Sequence, residues 1–165
     1  SPSNSPISFG GGIRNLDHLK FLKNVPIERL HFSTAFTEEK LNLLKKSRDL
    51  FGKQAIVASL PVKLIDDHLY VYSRGLNRFE RLKQSTISLI HNYADELMVI
   101  DVDNEGCNET FNFKILESLD FPLEQIVISG GVGPKIIAQA RDQGIASCLI
   151  ENRVLHHENY MRSET

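Results

Sequence analysis

The stretch "IVISGGVGPKIIAQAR", residues 126–141, runs from a β-branched apolar segment through a glycine-rich turn into a proline-led amphipathic segment. Ile126–Ser129 has the length and composition of a strand buried on both faces. Gly133-Pro134 then places a proline where the first turn of a helix has no use for an N–H, and Ile136 to Arg141 continue with helical spacing. The succession is one strand, turn and helix. The fold depends on how often that unit recurs.

It recurs along most of the chain. Ile7–Phe9, Leu30–Ser33, Ala55–Leu60, Leu97–Asp101 and Ser147–Ile150 read as further buried strands. Between them, Leu16, Leu19 and Leu22 mark a first helix, and Leu41, Leu44 and Leu50 mark a second with Thr37 as its expected N-cap. Phe79–Tyr93 and Phe111–Leu119 supply two more, and Leu69–Tyr72 is the return strand of a hairpin that begins near Val62. Alternating strands and helices predict a mainly parallel sheet with right-handed crossovers. Two architectures share this signature, a doubly wound sheet and an eight-fold barrel. A barrel typically takes about 250 residues, so pattern alone favours the doubly wound sheet for a chain of 165 residues.

Composition narrows the function classes. The chain is 41% hydrophobic and 24% charged, an ordinary globular balance that allows one domain with one core. A net charge of -2 gives no general attraction to nucleic acid or to an anionic membrane. Two cysteines, Cys107 and Cys148, make neither a CxxC pair nor a disulfide framework, and no apolar run reaches the length of a membrane span. A cytoplasmic protein is the expectation. Residues 1–5, "SPSNS", are too short and polar for a signal peptide and are expected to lie outside the domain as a disordered lead.

Glycines punctuate two of the turns. "GGG" at 10–12 and "SGGVG" at 129–133 each follow a strand and precede a helix. Glycine there admits positive φ and lets an anion approach backbone amides, while the helix N-terminus adds about half a positive charge. The plainer reading is two tight turns. Neither cluster has the spacing of a dinucleotide fingerprint or a Walker loop.

A series of collinear segments carries a more specific signal. "PISFGGGIRNLDHLKFL", "IERLHFSTAF", "FGKQAIVASLPVK", "ELMVIDVDNEG", "IVISGGVG" and "GIASCLIENRVLHH" resemble, in order, the third to eighth strands and loops of the cyclase subunit of imidazole glycerol phosphate synthase, a histidine-biosynthesis barrel family. The resemblance runs from about Pro6 to His157 and replaces the doubly wound sheet with a (βα)8 TIM-barrel type of which about six βα units are present, in a single partial barrel domain over residues 1–165. It implies a substrate phosphorylated at both ends, ammonia from a glutaminase subunit in a heterodimer, and no cofactor. One phosphate would lie on Gly11, Gly12, Ser33 and Thr34, and the other on Gly106, Gly130, Gly131, Asn152 and Arg153. Glu28 and Arg29 resemble an acidic-basic pair at the ammonia entrance and partner interface, with Arg29 as the gate. An exposed ion pair is the alternative.

The chain also departs from that family. Catalysis there is attributed to two aspartates. The first would lie before Ser1. The second falls on Pro61, which has no proton to give, in a role that general acid–base catalysis credits with about 10²- to 10⁴-fold. Glu151 would repel a phosphate and Arg153 would grip one, according to which of them points inward. Asp101, Asp103 and Glu105 alternate at a strand end and could face one side as a Mg²⁺ or Ca²⁺ site, although the resemblance implies no metal. His31 reads as a packed strand histidine, and His156 and His157 as surface residues. Cys107 has no activating cation in the sequence around it.

Three functional readings follow. The first is a cyclase-type subunit acting on a phosphorylated, sugar-derived substrate with ammonia. The second is a non-cyclising ammonia conduit for a sugar amidotransferase in surface-polysaccharide synthesis, which Pro61 favours. The third is an inactive truncated copy, whose two open sheet edges would need cover.

Overall fold

The computed structural model describes residues 7–10, 27–32, 36–73 and 76–150 of the chain. Eight strands form one sheet: β1 (Ile7–Gly10), β2 (Ile27–Phe32), β3 (Ile56–Ile65), β4 (His68–Ser73), β5 (Arg78–Arg81), β6 (Glu96–Asp101), β7 (Ile126–Ser129) and β8 (Ser147–Cys148). Among the described residues, four α-helices lie between them: α1 (Leu41–Phe51), α2 (Gln84–Tyr93), α3 (Lys114–Glu117) and α4 (Pro134–Gln143). The expected first helix, around Leu16, Leu19 and Leu22, and residues 1–5 lie outside the described residues.

Strand order decides the architecture. The main sheet runs β1-β2-β3-β6-β7-β8, every neighbouring pair parallel. Each strand is therefore laid beside its predecessor in one direction. A doubly wound sheet needs a point where the order reverses, and none occurs along this path. The structure thus corrects the length-based expectation: the chain carries six strands of a (βα)8 TIM-barrel type, in a sheet that is unclosed among the described residues.

The helices cover one face. Leu30, Phe32, Ile56, Ala58, Leu60, Leu97, Val99, Ile126 and Ile128 alternate along their strands and share a core with Leu43 and Leu44 of α1, Ile87 and Ile90 of α2, and Ile136 and Ala140 of α4. Burying each such aliphatic side chain is worth about 1.5–3 kcal/mol. Ser47, also buried in α1, satisfies its hydroxyl by donating to the Leu43 carbonyl at 2.7 Å. The first turn of this helix is of the 3₁₀ kind, with Lys40 N–H bonded to the Thr37 carbonyl. The N-cap of α1 is therefore Lys40 and not Thr37 as expected, because the intervening 3₁₀ turn at Glu38–Lys40 separates Thr37 from the helix. Pro134 sits at the start of α4 as expected, and Gly144 ends that helix at φ 84°, the left-handed C-cap that glycine favours.

Two expected helices shrink, for identifiable reasons. Phe79–Tyr93 begins instead as β5, because Arg78–Arg81 pairs with β4 and the Phe79 ring packs on Tyr72 with centroids 5.4 Å apart. Phe111–Leu119 yields only the four residues of α3. Its leading amides are committed elsewhere: Phe111 N–H donates to the Gly131 carbonyl and Asn112 N–H to the Asp101 carboxylate. The last expected strand contracts to Ser147–Cys148, and Leu149 and Ile150 beyond it are exposed.

The hairpin that starts near Val62 is present. β3 runs on beyond its parallel partners and pairs antiparallel with β4 through Val62, Lys63, Leu64 and Ile65. Its two-residue turn is Asp66-Asp67, with φ 50° and 64°, the pair of positive values a type I′ turn demands. Glycine occupies the second position with less strain than aspartate. Asp67→Gly should raise stability by about 0.5 kcal/mol and Asp67→Val should lower it by about 1 kcal/mol, read from urea midpoints at unchanged slope.

Candidate functional site

Opposite the helix-covered face, the strand register sets residues in rows. His31, Val57 and Glu96 form one row; Ser59, Met98, Val127 and Ser147 the next; Pro61, Ile100 and Ser129 the last before the loops. In a barrel this face is the interior, and the C-terminal strand ends carry the chemistry.

At the N-terminal end of this face, Arg29 Nη1 lies 2.6 Å from Glu96 Oε1, with the side chains 30% and 24% exposed. The two strands are not neighbours, since β3 runs between β2 and β6. Arg29 therefore reaches across a strand to its partner. His31 stands two residues along β2, on the same face as Arg29. Burial pushes its pKa below the ordinary value, the Arg29 cation adds to that effect, and the Glu96 anion opposes it. His31 is thus a half-buried, neutral imidazole at neutral pH, as expected of a packed histidine. Glu28 belongs to β2, but its side chain lies outside the described residues.

At the C-terminal end, the turn after β7 is buried from Ser129 through Gly133. Gly130 and Gly131 have φ 93° and 71°, a region in which only glycine is unstrained. A Cβ on Gly130 would strike the Asp101 backbone, and one on Gly131 would strike Thr110, Asn104 and the Phe111 amide. These glycines let the segment after β6 lie directly on the turn. Thr110 and Phe111 N–H both donate to the Gly131 carbonyl, at 2.9 and 3.1 Å. The Glu109 carboxylate caps α4, with Oε1 accepting from Lys135 N–H at 3.0 Å and Oε2 from Ile136 N–H at 3.1 Å. Gly133 leaves the room, because a Cβ there would collide with the Glu109 and Asn108 side chains. The helix N-terminus expected to face a phosphate therefore faces an internal carboxylate.

The segment is anchored from below. Asp101 is 2% exposed, and its Oδ2 accepts from Asn104 Nδ2 at 2.6 Å and from Asn112 N–H at 3.0 Å. The alternation of acidic residues stops there, because Val102–Asn104 forms a 3₁₀ turn. Asp103 is turned outward beside Lys63, 3.5 Å away, so Asp101 and Asp103 do not share the one side expected of them. Among the described residues no cluster of His, Cys, Asp and Glu is arranged to hold a metal. Gly106 is exposed at φ 81°, and Cys107 beside it is exposed.

Pro61 sits in the last interior row, opposite Ile100. Residues 56–58 of β3 pair with β2, and residues 62–65 pair with β4. Among the described residues, Pro61 falls between those two partners, where a central strand tolerates a residue without an N–H.

The comparisons with known proteins agree with this geometry. The family described as Histidine biosynthesis protein matches residues 2–161. The chain belongs to that family. It is 28% identical over 161 residues to a Campylobacter jejuni protein named, provisionally, imidazole glycerol phosphate synthase subunit hisF2, covering 94% of this chain and 62% of that one. It is 31% identical over 140 residues to the imidazole glycerol phosphate synthase subunit HisF of Exiguobacterium sp., covering 78% of this chain and 51% of that one. The HisF subunit of Sulfolobus acidocaldarius is also 31% identical, over 138 residues, with 78% and 52% covered. The chain spans between about half and three-fifths of the length of these relatives. It is a divergent, HisF-like member of the histidine biosynthesis family.

Of the expected phosphate residues, Gly130 and Gly131 lie in the buried turn after β7 and Gly106 lies in the exposed loop after β6, while Gly11, Gly12, Ser33, Thr34, Asn152 and Arg153 lie outside the described residues, as do Glu151, His156 and His157. Sequence reasoning missed Glu96 and Glu109. Glu96 had a signal, as an acidic residue opening an otherwise apolar strand. Glu109 had none, since its partners are backbone amides 26 and 27 residues away.

Two measurements check this site. Gly131→Ala should cost at least about 2 kcal/mol by denaturant midpoint, because a left-handed residue is strained and the new methyl meets backbone; Gly52→Ala, at φ 84° with nothing within 4 Å, should cost only about 1 kcal/mol. The depressed His31 pKa means that the unfolded chain binds the proton first, so its contribution is complete above the unfolded pKa of about 6.5 and is lost as pH falls below it. Between pH 7 and pH 5, the native protein should lose more stability than His31→Asn does.

Proposed function

We propose that the protein is an imidazole glycerol phosphate synthase cyclase-like subunit that handles a phosphorylated, sugar-derived substrate with ammonia delivered by a glutaminase partner. The observation that carries this reading is the Arg29–Glu96 ion pair at the N-terminal end of the interior face, in a chain of the histidine biosynthesis family. A partner docked at that end, against Glu28 and Arg29, would release ammonia beside a cation and an anion that hold each other. Uncharged side chains line the way onward, Val57 beside Glu96 and then Ser59, Met98 and Val127 in the next row. Such a lining favours neutral ammonia over ammonium, because an unpaired charge is costly away from water. A neutral His31 beside the gate adds no proton donor at neutral pH.

The substrate would span the C-terminal ends of the strands. Gly11, Gly12, Ser33 and Thr34 take the phosphate at one end; Gly106, Gly130, Gly131, Asn152 and Arg153 border the other. No cofactor is needed for condensation with ammonia.

Pro61 favours a second reading, in which the barrel passes ammonia to a sugar amidotransferase without cyclising anything itself. Delivery requires a lined passage and no proton donor, whereas the cyclase step without the family's acid forgoes a factor of about 10² to 10⁴.

Turnover assays with the glutaminase partner separate these readings. Arg29→Ala should lower glutamine-dependent product formation by about tenfold while leaving turnover on added ammonium salt unchanged, since loss of one gate charge strands the other. Equal loss with both nitrogen sources would sink the gate. Pro61→Asp should raise ammonia-dependent cyclase turnover by about 10²-fold if this position alone withholds the acid. No gain, together with ammonia reaching a separate sugar acceptor, would establish the conduit.

A further inference from the structure

The hairpin of β4 and β5 leaves the main sheet at the C-terminal end of β3, which there takes β4 as its partner in place of β2. It stands at the opposite end of the interior face from Arg29 and Glu96. Its outer strand, β5, pairs with β4 alone among the described residues. Leu82 N–H donates to the Leu69 carbonyl at 2.9 Å, and this sets the phase of the ladder, because bonded and non-bonded pairs alternate along antiparallel strands. Arg78 and Glu80 therefore turn their backbone groups toward Ser73 and Val71. Phe79 and Arg81, opposite Tyr72 and Tyr70, turn theirs to the open edge. Lys83 extends that edge at φ -95° and ψ 146° before its carbonyl accepts from Thr86 and Ile87 N–H at the start of α2.

An open groove of about 570 Å³ runs along the edge, lined by residues 78–83. Its charge is lopsided. On one face Arg78 is matched by Glu80 at 3.0 Å. On the other, Arg81 lies 2.9 Å from His68 Nδ1, and since a guanidinium can only donate, that ring nitrogen is an uncharged acceptor. Arg81 and Lys83, two residues apart and both exposed, thus share a face as cations. A chain of net charge -2 places positive charge on its open edge.

We infer that this edge docks an extended acidic segment of a partner protein, which adds a strand beside β5 at the end of the sheet remote from Arg29 and Glu96. The outward backbone groups of Phe79 and Arg81, with Lys83 N–H, pair with the added strand. Carboxylates at alternate positions meet Arg81 and Lys83, and small or β-branched residues between them lie on the face of Leu82 and the closed Arg78–Glu80 pair. A peptide suits the edge better than a phosphate-backbone polyanion, because the edge presents carbonyl acceptors as well as N–H donors. The inference is independent of the substrate and holds whether the barrel cyclises or conducts.

Fluorescence polarisation on the full chain, with a labelled peptide of alternating Glu and Thr and with its counterpart of alternating Lys and Thr, tests this. The acidic peptide should bind at least about tenfold tighter than the basic one, and Arg81→Glu, checked for native circular dichroism, should abolish or reverse that preference. In hydrogen–deuterium exchange followed by NMR, the acidic peptide should slow the Phe79 and Arg81 amides, while those of Arg78 and Glu80, already bonded to β4, change little. Equal binding of the two peptides would overturn the inference, as would an unchanged preference in Arg81→Glu. Acidic binding that leaves exchange at Phe79 and Arg81 untouched would overturn it by showing attachment through charge without an added strand. Binding of neither peptide, or of oligothymidylate in preference to the acidic peptide, would also sink it.

Discussion

One buried carboxylate organises the functional rim. Asp101 ends β6 with almost no exposure, and a buried polar group is tolerated only when hydrogen bonds replace its water. Its Oδ2 takes two, from Asn104 and from the Asn112 amide, and these fix both ends of the segment between them. With 104 and 112 pinned, residues 109–111 have one place to go, the turn after β7. The glycines of that turn are the complement. Without Cβ atoms at 130 and 131, the two loops meet backbone to backbone, and the Gly131 carbonyl receives two amides.

The sheet supplies the frame for this contact. Laying each strand beside its predecessor brings the tips of β6 and β7 next to each other, and it separates the two ends of the interior face by the length of the strands. Opposite chemistry can then be placed at each end. A cation and an anion hold one another across β3 at the N-terminal end, while carboxylates at the C-terminal end bind backbone amides. Pro61 lies between, where β3 exchanges β2 for β4 as its neighbour.

Strand positions were the most legible part of the sequence, because β-branched runs such as Ile126–Ser129 and Leu97–Asp101 are set by burial on both faces. Length misled, since 165 residues suit a doubly wound sheet and only the order of pairing, which no local pattern encodes, distinguishes it from a barrel. The resemblance to a barrel family supplied what periodicity lacked. Helices failed where backbone donors were claimed over distance: nothing near Phe111 indicates that its amide belongs to Gly131. The site shows the same division. The glycine cluster at 129–133 announced a close backbone approach, and the structure lays the chain's own segment against Gly131. Arg29 was legible as a charged residue opening a strand, whereas its contact with Glu96 lies two strands away, where no local pattern reaches.

The hairpin of β4 and β5 has a bearing on solubility. Its outer strand, Arg78–Arg81, is paired on one side only among the described residues. Such a border can recruit a foreign strand and seed a fibril. Here it reads Arg-Phe-Glu-Arg, with Arg78 held to Glu80 at 3.0 Å, Arg81 bonded to His68, and the single aromatic turned onto Tyr72. Lys83 follows immediately. Stacking a second copy in parallel register would bring like charges together at Arg78, Glu80 and Arg81, so the projecting arm repels the assembly its shape would invite.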